Sequence, residues 1–492
     1  MERPNIVLIC VDQWRGDALS AAGHPRVHTP YLDQLAAVGT RFSRAYSATP
    51  TCVPARVALM TGQSQEAHGR VGYSDGVSFD EAHPVTMPRE LRNAGYQTQA
   101  IGKMHVYPER SRIGFDDVRL HDGYLHYSRR RHDRDLRQID DYLPWLQAQA
   151  GVSAIEDYTD HGLSCNSVVA RPWDKGEALH PTNWVSTEAI SWLYRRDPTV
   201  PFFLYLSFHR PHSPLDPPQW AFDQYLNRPP RERIVGDWTD AYETHRRDGA
   251  HDAFFGRQDE WTHHRATAGY YGHLSHIDQQ INRFLEALWE MRLRENTVVI
   301  FTSDHGDMMG DHDMYRKGFP YEGSAHIPFI MSVPEGYGER GTVVDEVVEL
   351  RDIMPTLLDM AAAPIPESVD GESLTPFLRG DSSVSWRKDL HGEHTLLGQS
   401  LQWVTDGKAK FVWMSGEGQE QFFDLVNDPN ETVNLIEDPS WSVESGKWRQ
   451  RLIDHLRDRE EGYVKDNRLV IGQQPATMLS HVEDNLKVAG SS

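Results

Sequence analysis

The sequence predicts an α/β fold: a large mixed, mostly parallel sheet sandwiched by helices, followed by a smaller C-terminal α+β domain. Two observations lead to this prediction. Up to about residue 364, continuous apolar runs alternate with helical patterns, which is typical of a doubly wound sheet. Beyond Pro364 the predicted strands are short and evenly spaced, with Asp406-Gly407 as a hairpin turn, which indicates an antiparallel meander. We therefore divide the chain into a large domain, residues 1–364, and a C-terminal subdomain, residues 365–492.

The first strand shows how the large domain is organised. Residues 5–11 form a continuous apolar run, as expected of a central parallel strand that is buried on both faces. The run ends in Asp12-Gln13, at the carboxyl edge of the sheet, where open α/β folds place their sites. The further predicted strands of this domain are 40–47, 97–102, 202–208, 297–302 and 327–333, and its predicted helices are 31–38, 52–60, 87–93, 183–195, 268–293 and 351–361. The C-terminal subdomain has predicted strands 390–393, 401–404, 410–414 and 421–425 and a predicted helix 445–459.

Two long stretches, 107–180 and 217–264, show neither the helical nor the strand pattern of apolar residues. Both are rich in aromatic, histidine and arginine residues, and we expect them to form surface insertions at the rim of a site. A basic cluster at 129–132 is expected on a solvated or subunit-contact surface. The tail beyond Tyr463 is expected either on the large domain or as a bridge to a second subunit, so a homo-oligomer stays open.

Composition excludes several classes of protein. The chain has 492 residues, enough for a sizeable core, and its 50 Lys and Arg against 72 Asp and Glu give a net charge of −22. This balance disfavours non-specific binding to nucleic acid or to an anionic membrane, and any anionic substrate must therefore meet a locally basic pocket. The three cysteines, Cys10, Cys52 and Cys165, cannot form a disulfide framework and match no zinc spacing. No apolar run reaches about 18 residues and the first strand begins at Pro4, so we expect a soluble, cytoplasmic protein.

Cys52, Pro54 and Arg56 form a compact signal for chemistry. Pro54 favours the first turn of a helix, so Cys52 is predicted at or just before a helix N-terminus. That end offers free backbone donors and a partial positive charge, which suit an oxyanion, and Arg56 lies one turn further on. Taken alone, the spacing is equally consistent with a buried structural cysteine and a surface arginine.

Six separated motifs together resemble the type I sulfatases, the formylglycine-dependent, arylsulfatase-like branch of the alkaline phosphatase superfamily. The motifs are Asn5–Asp12, Cys52-x-Pro54-x-Arg56 with Thr61-Gly62, Gly102-Lys103-Met104-His105, His209-Arg210-Pro211-His212, Ser303-Asp304-His305-Gly306-Asp307 and Asp424-Leu425-Val426-Asn427-Asp428-Pro429. They stand in the family's order and cover nearly the whole chain. The resemblance implies hydrolysis of sulfate monoesters to an alcohol or phenol and inorganic sulfate. It also implies that a formylglycine-generating enzyme oxidises Cys52, and that the hydrated aldehyde is the nucleophile.

The predicted metal ligands come from the ends of two strands. Asp12, Gln13, Asp304 and His305 supply mostly oxygen donors with one imidazole, which suits one divalent cation, Ca²⁺ first, with Mn²⁺ or Mg²⁺ open. The family usually has a second aspartate where Gln13 stands, and its relatives that hydrolyse phosphonate monoesters tend to have glutamine there. A phosphonate monoester or phosphodiester hydrolase therefore stays an alternative, although the run from Lys103 to His105 keeps the sulfatase pattern.

The resemblance also assigns the remaining roles. Arg56, Lys103 and Lys317 match the family's cationic positions, and His105 and His212 match its two histidines. We expect Asp304 to accept the proton of the attacking hydroxyl, His212 to protonate the leaving oxygen and His105 to act as base in the second half of the reaction. Supporting roles are expected for His209, Asp307, Asp311 and His312. A third alternative is a non-catalytic binding protein with unmodified cysteine. The substrate itself, with an aromatic ring or a sulfated sugar, is left open.

Overall fold

The structure of the chain is a computed structural model that describes residues 3–123, 136–151, 158, 163–381, 383–482 and 486. The strands are β1 (Asn5–Asp12), β2 (Thr40–Tyr46), β3 (Gln97–Gly102), β4 (Asp117–Leu120), β5 (Phe202–Pro211), β6 (Thr297–Ser303), β7 (His326–Ile327), β8 (Phe329–Ser332), β9 (Thr342–Glu349), β10 (Leu390–Leu396), β11 (Gln399–Thr405), β12 (Ala409–Met414), β13 (Glu420–Asp424), β14 (Val464–Lys465) and β15 (Arg468–Leu469). The helices are Pro30–Val38, Cys52–Thr61, Gln65–His68, Phe79–Ala82, Met87–Asn93, Leu136–Ile139, Tyr142–Ala150, Pro181–Arg195, Gln219–Leu226, Glu260–Glu290, Glu322–Ala325, Ile353–Met360, Thr375–Leu378 and Ser442–Leu456. The basic cluster predicted at 129–132 lies outside the described residues.

A nine-stranded sheet forms the centre of the large domain. Its strands lie in the order β4-β3-β5-β1-β6-β8-β2-β7, and β9 pairs with β2. Five strands, β4, β3, β5, β1 and β6, run parallel to one another. The next strand, β8, runs antiparallel to both β6 and β2. The prediction of a mixed, mostly parallel sheet is therefore confirmed.

Helices cover both faces of this sheet because β1 is apolar on both sides. Leu8 packs into a core cluster with Leu357 of the helix Ile353–Met360. Ile9 points the other way and packs with Leu274 of the helix Glu260–Glu290. Each fully buried aliphatic side chain of this kind contributes roughly 1.5–3 kcal/mol to stability. The continuous apolar run thus correctly indicated a strand between two layers of helices.

The longest helix begins earlier than predicted. It spans Glu260–Glu290 instead of 268–293. Asp259 fixes the start, since its side chain accepts the backbone N–H of Thr262 in the first turn. The first turns are polar, so an apolar periodicity could not reveal them.

The two predicted insertions also contain regular structure. The first, 107–180, includes β4 and the helix Tyr142–Ala150, which buries one apolar face. The second, 217–264, includes the helix Gln219–Leu226. The prediction that both stretches are irregular is therefore wrong for these elements, which are too short for their periodicity to stand out.

The C-terminal subdomain contains the predicted antiparallel meander, in the order β10-β11-β12-β13. One face of this small sheet packs on the large domain, where Trp403 joins a core cluster with Tyr321. The other face, which includes Trp413, packs on the helix Ser442–Leu456. The small sheet is therefore held between the large domain and its own helix, while the division at residue 364 stays a prediction.

The end of the chain returns to the large domain. The backbone N–H of Val71 donates to the carbonyl of Thr477 at 3.1 Å, and the N–H of Leu479 donates to the carbonyl of Gly69 at 2.8 Å. Of the two placements expected for the tail, contact with the large domain is the one observed, and a homo-oligomer stays a prediction. Within the described part of the chain, none of the helices combines the length and apolar character needed to span a bilayer.

Candidate active site

The carboxyl ends of neighbouring strands bring the predicted site residues together. Asp12 ends β1, Lys103 follows β3, His209 lies near the end of β5 and Asp304 follows β6. Parallel strands place these ends at one edge of the sheet. Cys52 reaches the same place as the first residue of a helix, as predicted.

Cys52 lies at the bottom of the site. It is 2 % exposed, and its Sγ lies 3.2 Å from Nε2 of His305 and 3.7 Å from Oδ1 of Asp12. Burial and the Asp12 carboxylate act against ionisation of the thiol. The positive charges of Lys103 and Lys317 prevail and hold the pKa of Cys52 well below its usual value. The position is therefore suited to a group that bears negative charge.

Four buried groups around this point could hold a metal ion. Asp12, Cys52, Asp304 and His305 each offer one ligand atom, and these atoms lie within 4.8 Å of one another. Burial, followed by the negative charge of Asp12, raises the pKa of Asp304. A divalent cation would relieve this repulsion between two buried carboxylates, so Asp12 and Asp304 fit a hard cation, whereas the sulfur of Cys52 is a soft donor that such a cation disfavours.

Gln13, the remaining predicted ligand, also lies at the site, with a left-handed φ of 73°. Its backbone N–H donates to Oδ1 of Asp304 at 3.1 Å. Its side-chain oxygen accepts from Nζ of Lys317 at 2.7 Å, and its side-chain amide donates to Asp307. Gln13 therefore joins the ligand candidates to Lys317, and its own role as a ligand stays a prediction.

Arg56 and Lys103 neutralise the buried carboxylates. Nε of Arg56 donates to Oδ2 of Asp304 at 2.9 Å, and Nζ of Lys103 forms an ion pair with Asp12. Both cations are buried, and neither lines the cavity above Cys52. Nη1 of Arg56 also donates to the carbonyl of Lys103 and to the hydroxyls of Tyr205 and Ser207. The predicted contact of both cations with substrate oxygens stays a prediction.

A cavity of about 320 Å³ opens over Cys52. Four predicted catalytic residues line it: Cys52, His105, His212 and Lys317. The other lining residues are Thr51, Tyr73, Asp75, Cys165, Asn166, Phe254, Arg316, His394, Thr395 and Leu396. Asn166 and Phe254 come from the two predicted rim insertions. The last three of the lining residues belong to β10, so the C-terminal subdomain helps to form the cavity. No motif pointed to them, because they reach the cavity only through packing between domains.

The two histidines differ in their surroundings. Burial and the charge of Lys317 lower the pKa of His212 to about 3. Its Nδ1 lies 3.0 Å from the carbonyl oxygen of Ser213, so Nδ1–H donates there and Nε2 remains for the cavity. His105 has a left-handed φ of 56°, and its backbone N–H donates to Oδ1 of Asp122 at 3.1 Å. Asp122 thus positions His105, a role that the sequence did not predict.

The residues expected to support the site are close to it as well. They are His209, Asp307, Asp311 and His312, and all are buried. Nδ1 of His209 lies 3.6 Å from Oδ2 of Asp12, and Asp311 accepts from Nη1 of Arg15 at 2.8 Å. Contacts of this kind orient neighbouring side chains.

Comparisons with known proteins extend over almost the whole chain. A family model described as "Sulfatase" matches residues 4–363, and one described as "N-sulphoglucosamine sulphohydrolase, C-terminal" matches residues 310–458. The chain is 48 % identical over 485 residues to the arylsulfatase of Clostridium perfringens (strain 13 / Type A), covering 98 % of this chain and 100 % of that one.

Two further relatives are more distant. The choline-sulfatase of Rhizobium meliloti (strain 1021) is 28 % identical over 90 % of this chain and 84 % of its own. Among solved structures, the phosphonate monoester hydrolase of Agrobacterium radiobacter superposes with a TM-score of 0.75 at 26 % identity, covering 92 % of this chain and 95 % of that one. The fold is thus shared with an enzyme named for a different activity.

Proposed function

Because the chain belongs to the sulfatase family and is a sulfuric ester hydrolase, we propose that it hydrolyses aryl sulfate esters to a phenol and inorganic sulfate. The resemblance to sulfatases seen in the motifs is confirmed at the level of the family. The observation that best supports the aryl preference is the cavity over Cys52, where Tyr73 and Phe254 offer aromatic surface to a phenyl ring. The guanidinium of Arg316 lies 3.6 Å from the ring centre of Phe254 and adds positive charge to the same wall.

In this proposal the nucleophile is a formylglycine made from Cys52, which requires a formylglycine-generating enzyme as a partner during maturation. Asp12, Gln13, Asp304 and His305 would hold the divalent cation, which supplies positive charge beside the sulfate oxygens. Ca²⁺ is the first choice because three of the four donors are oxygens, and Mn²⁺ or Mg²⁺ are the alternatives.

Three side chains of the chain handle the protons. Asp304 accepts the proton of the attacking hydroxyl, since its carboxylate lies within 4.8 Å of Sγ of Cys52. His212 donates a proton to the leaving oxygen. It is neutral in the free site, and the negative charge of a bound sulfate ester offsets Lys317 and favours its protonated form. His105 then removes a proton in the second half of the reaction, as sulfate leaves.

A second candidate function is the hydrolysis of phosphonate monoesters. It is favoured by Gln13, which stands where the family usually has an aspartate, and by the likeness to the solved structure of a phosphonate monoester hydrolase. It has less support than sulfate ester hydrolysis, since the relative at 48 % identity is an arylsulfatase.

A substrate panel tests this proposal. We would measure kcat/KM of the purified enzyme for an aryl sulfate, an alkyl sulfate, a sugar sulfate and a phosphonate monoester, and determine the mass of the peptide that contains Cys52. We expect the aryl sulfate to give the largest kcat/KM, and the peptide to be lighter by about 18 Da, the difference between a thiol and an aldehyde. A larger value for the phosphonate would favour the second function. An unmodified peptide in a protein that turns over none of the four would favour a binding protein.

His212→Ala is expected to slow esters of poor leaving groups much more than esters of good ones. A leaving oxygen with a low pKa needs no proton in the transition state, whereas a basic one does. We would measure kcat/KM across phenyl sulfates of graded leaving-group pKa, with His105→Ala as the comparison. The slope of log kcat/KM against leaving-group pKa should steepen in His212→Ala alone. His105→Ala should instead release its first equivalent of phenol in a burst that is faster than the steady-state rate. A wild-type slope in His212→Ala would assign the acid to another residue.

A further inference from the structure

A second cluster of buried histidines lies away from the cavity. His180 precedes the helix Pro181–Arg195 as its N-cap, and His273 and His276 lie three residues apart on one face of the helix Glu260–Glu290. All three residues are 0 % exposed. One ring nitrogen of each lies within 4.8 Å of the other two.

The helix histidines are oriented by polar partners on their outer sides. Nε2 of His276 lies 2.6 Å from the side-chain oxygen of Asn183 and donates to it. Nε2 of His273 accepts the backbone N–H of Asp216 at 3.0 Å, and the same nitrogen lies 3.2 Å from the carbonyl oxygen of Pro214 and 3.4 Å from Oδ1 of Asp216. His276 can therefore keep its proton on Nε2 and leave a lone pair on Nδ1, whereas His273 can do so only by giving up the hydrogen bond that its Nε2 accepts from Asp216.

One nitrogen on each ring has no hydrogen-bond partner among the residues that the structure describes. Nε2 of His180, Nδ1 of His273 and Nδ1 of His276 are buried and make no hydrogen bond to any of the described residues. Burial lowers the pKa of all three rings, so they are neutral at pH 7. Buried polar atoms are rarely left without a partner, and three on neighbouring rings indicate a shared ligand.

We propose that these three nitrogens bind one transition-metal ion, Zn²⁺ in the first place, with water as the fourth ligand. Three neutral imidazoles are a donor set that Zn²⁺ accepts, whereas Ca²⁺ requires oxygen. The outer contacts of His273 and His276 are those that normally hold metal-bound histidines in place. His180 must shift its proton to Nδ1, which gives up the hydrogen bond that this nitrogen accepts from the N–H of Thr182.

The position of the cluster gives the ion a structural role. Pro214 and Asp216 follow the segment that presents His212, and both contact His273. A bound ion would therefore fasten this segment to the longest helix. Glu177 marks a path from solvent, since its side chain is 39 % exposed and its Oε1 lies 3.7 Å from Nε2 of His276.

The first experiment uses Asp304→Asn to remove the cation of the active site and measures how many metal ions each protein molecule still holds. We expect the purified protein to retain about one equivalent of zinc from expression. After chelation, it should bind one equivalent of added Co²⁺ and show the strong visible absorption of a tetrahedral site. When His276→Gln is added to this protein, the absorption should disappear. The increase in melting temperature that the metal causes should become smaller. Asp304→Asn protein that is folded by circular dichroism yet holds neither ion would overturn the proposal, as would an absorption that survives His276→Gln.

Wild-type protein provides a test that needs no variant. Zinc-loaded enzyme is examined by X-ray absorption at the zinc edge, where we expect a shell of histidine nitrogens at about 2.0 Å. A shell dominated by oxygen would place the zinc at Asp12 and Asp304 instead and would contradict a site at the three histidines.

Discussion

Cys52→Ala is expected to lower kcat by at least about three orders of magnitude without unfolding the protein, since it removes the proposed nucleophile and little core volume. The thiol lies 3.2 Å from His305 and faces the cavity, and no other described side chain occupies that position at the start of the helix. We would measure steady-state hydrolysis of an aryl sulfate, with circular dichroism and the melting temperature as checks on the fold.

Cys165→Ala is the matched control for this prediction. Cys165 lines the same cavity and is also buried, but it belongs to no helix N-terminus and lies outside the motif. Its removal should change kcat by less than about tenfold. Retention of more than about one per cent of the rate in Cys52→Ala would contradict covalent catalysis at this residue.

Asp304→Asn is expected to remove the active-site cation and to lower kcat/KM by at least about three orders of magnitude. The substitution keeps the shape of the side chain but removes a charged metal donor, and it leaves the buried Nε of Arg56 without an anionic partner. Elemental analysis for calcium, magnesium and manganese on the purified variant checks the first half of the prediction, and kinetics check the second.

Asp311→Asn serves as its control. Asp311 is a buried aspartate seven positions further along, but its partners are Arg15 and Arg231 instead of the ligand candidates. It should keep its full complement of the cation, even if the melting temperature falls. A full complement of these metals in Asp304→Asn would refute the assignment of the ligand.

The strand ends of the site could be predicted because they follow the strongest patterns in the chain. β1 and β6 are continuous apolar strands in the middle of the sheet, so Asp12 and Asp304 had to meet at its carboxyl edge. The proline after Cys52 likewise indicated a helix start, which the structure has. Local sequence is enough to place a site residue where the strand before it is buried on both faces, because such a strand can lie only in the middle of a covered sheet.

Other parts of the site depend on contacts between distant segments. His394 reaches the cavity on β10, a strand of the C-terminal subdomain, and nothing in its neighbouring sequence indicates this. Strand β9 was missed because charged residues interrupt its apolar ones, as is common at the margin of a sheet. The direction of Arg56 was also beyond the sequence, since its spacing from Cys52 did not reveal the contact with Asp304.

The burial of Cys52 bears on when the oxidation proposed for this residue can take place. A folded molecule leaves 2 % of this residue exposed, whereas an enzyme that oxidises the thiol must take it into its own active site. Under the proposed maturation, oxidation takes place while the segment is still extended, before the helix forms and packs against the sheet edge. Folding and oxidation would then compete for the same nascent chain, and a chain that folds first would stay folded but inactive.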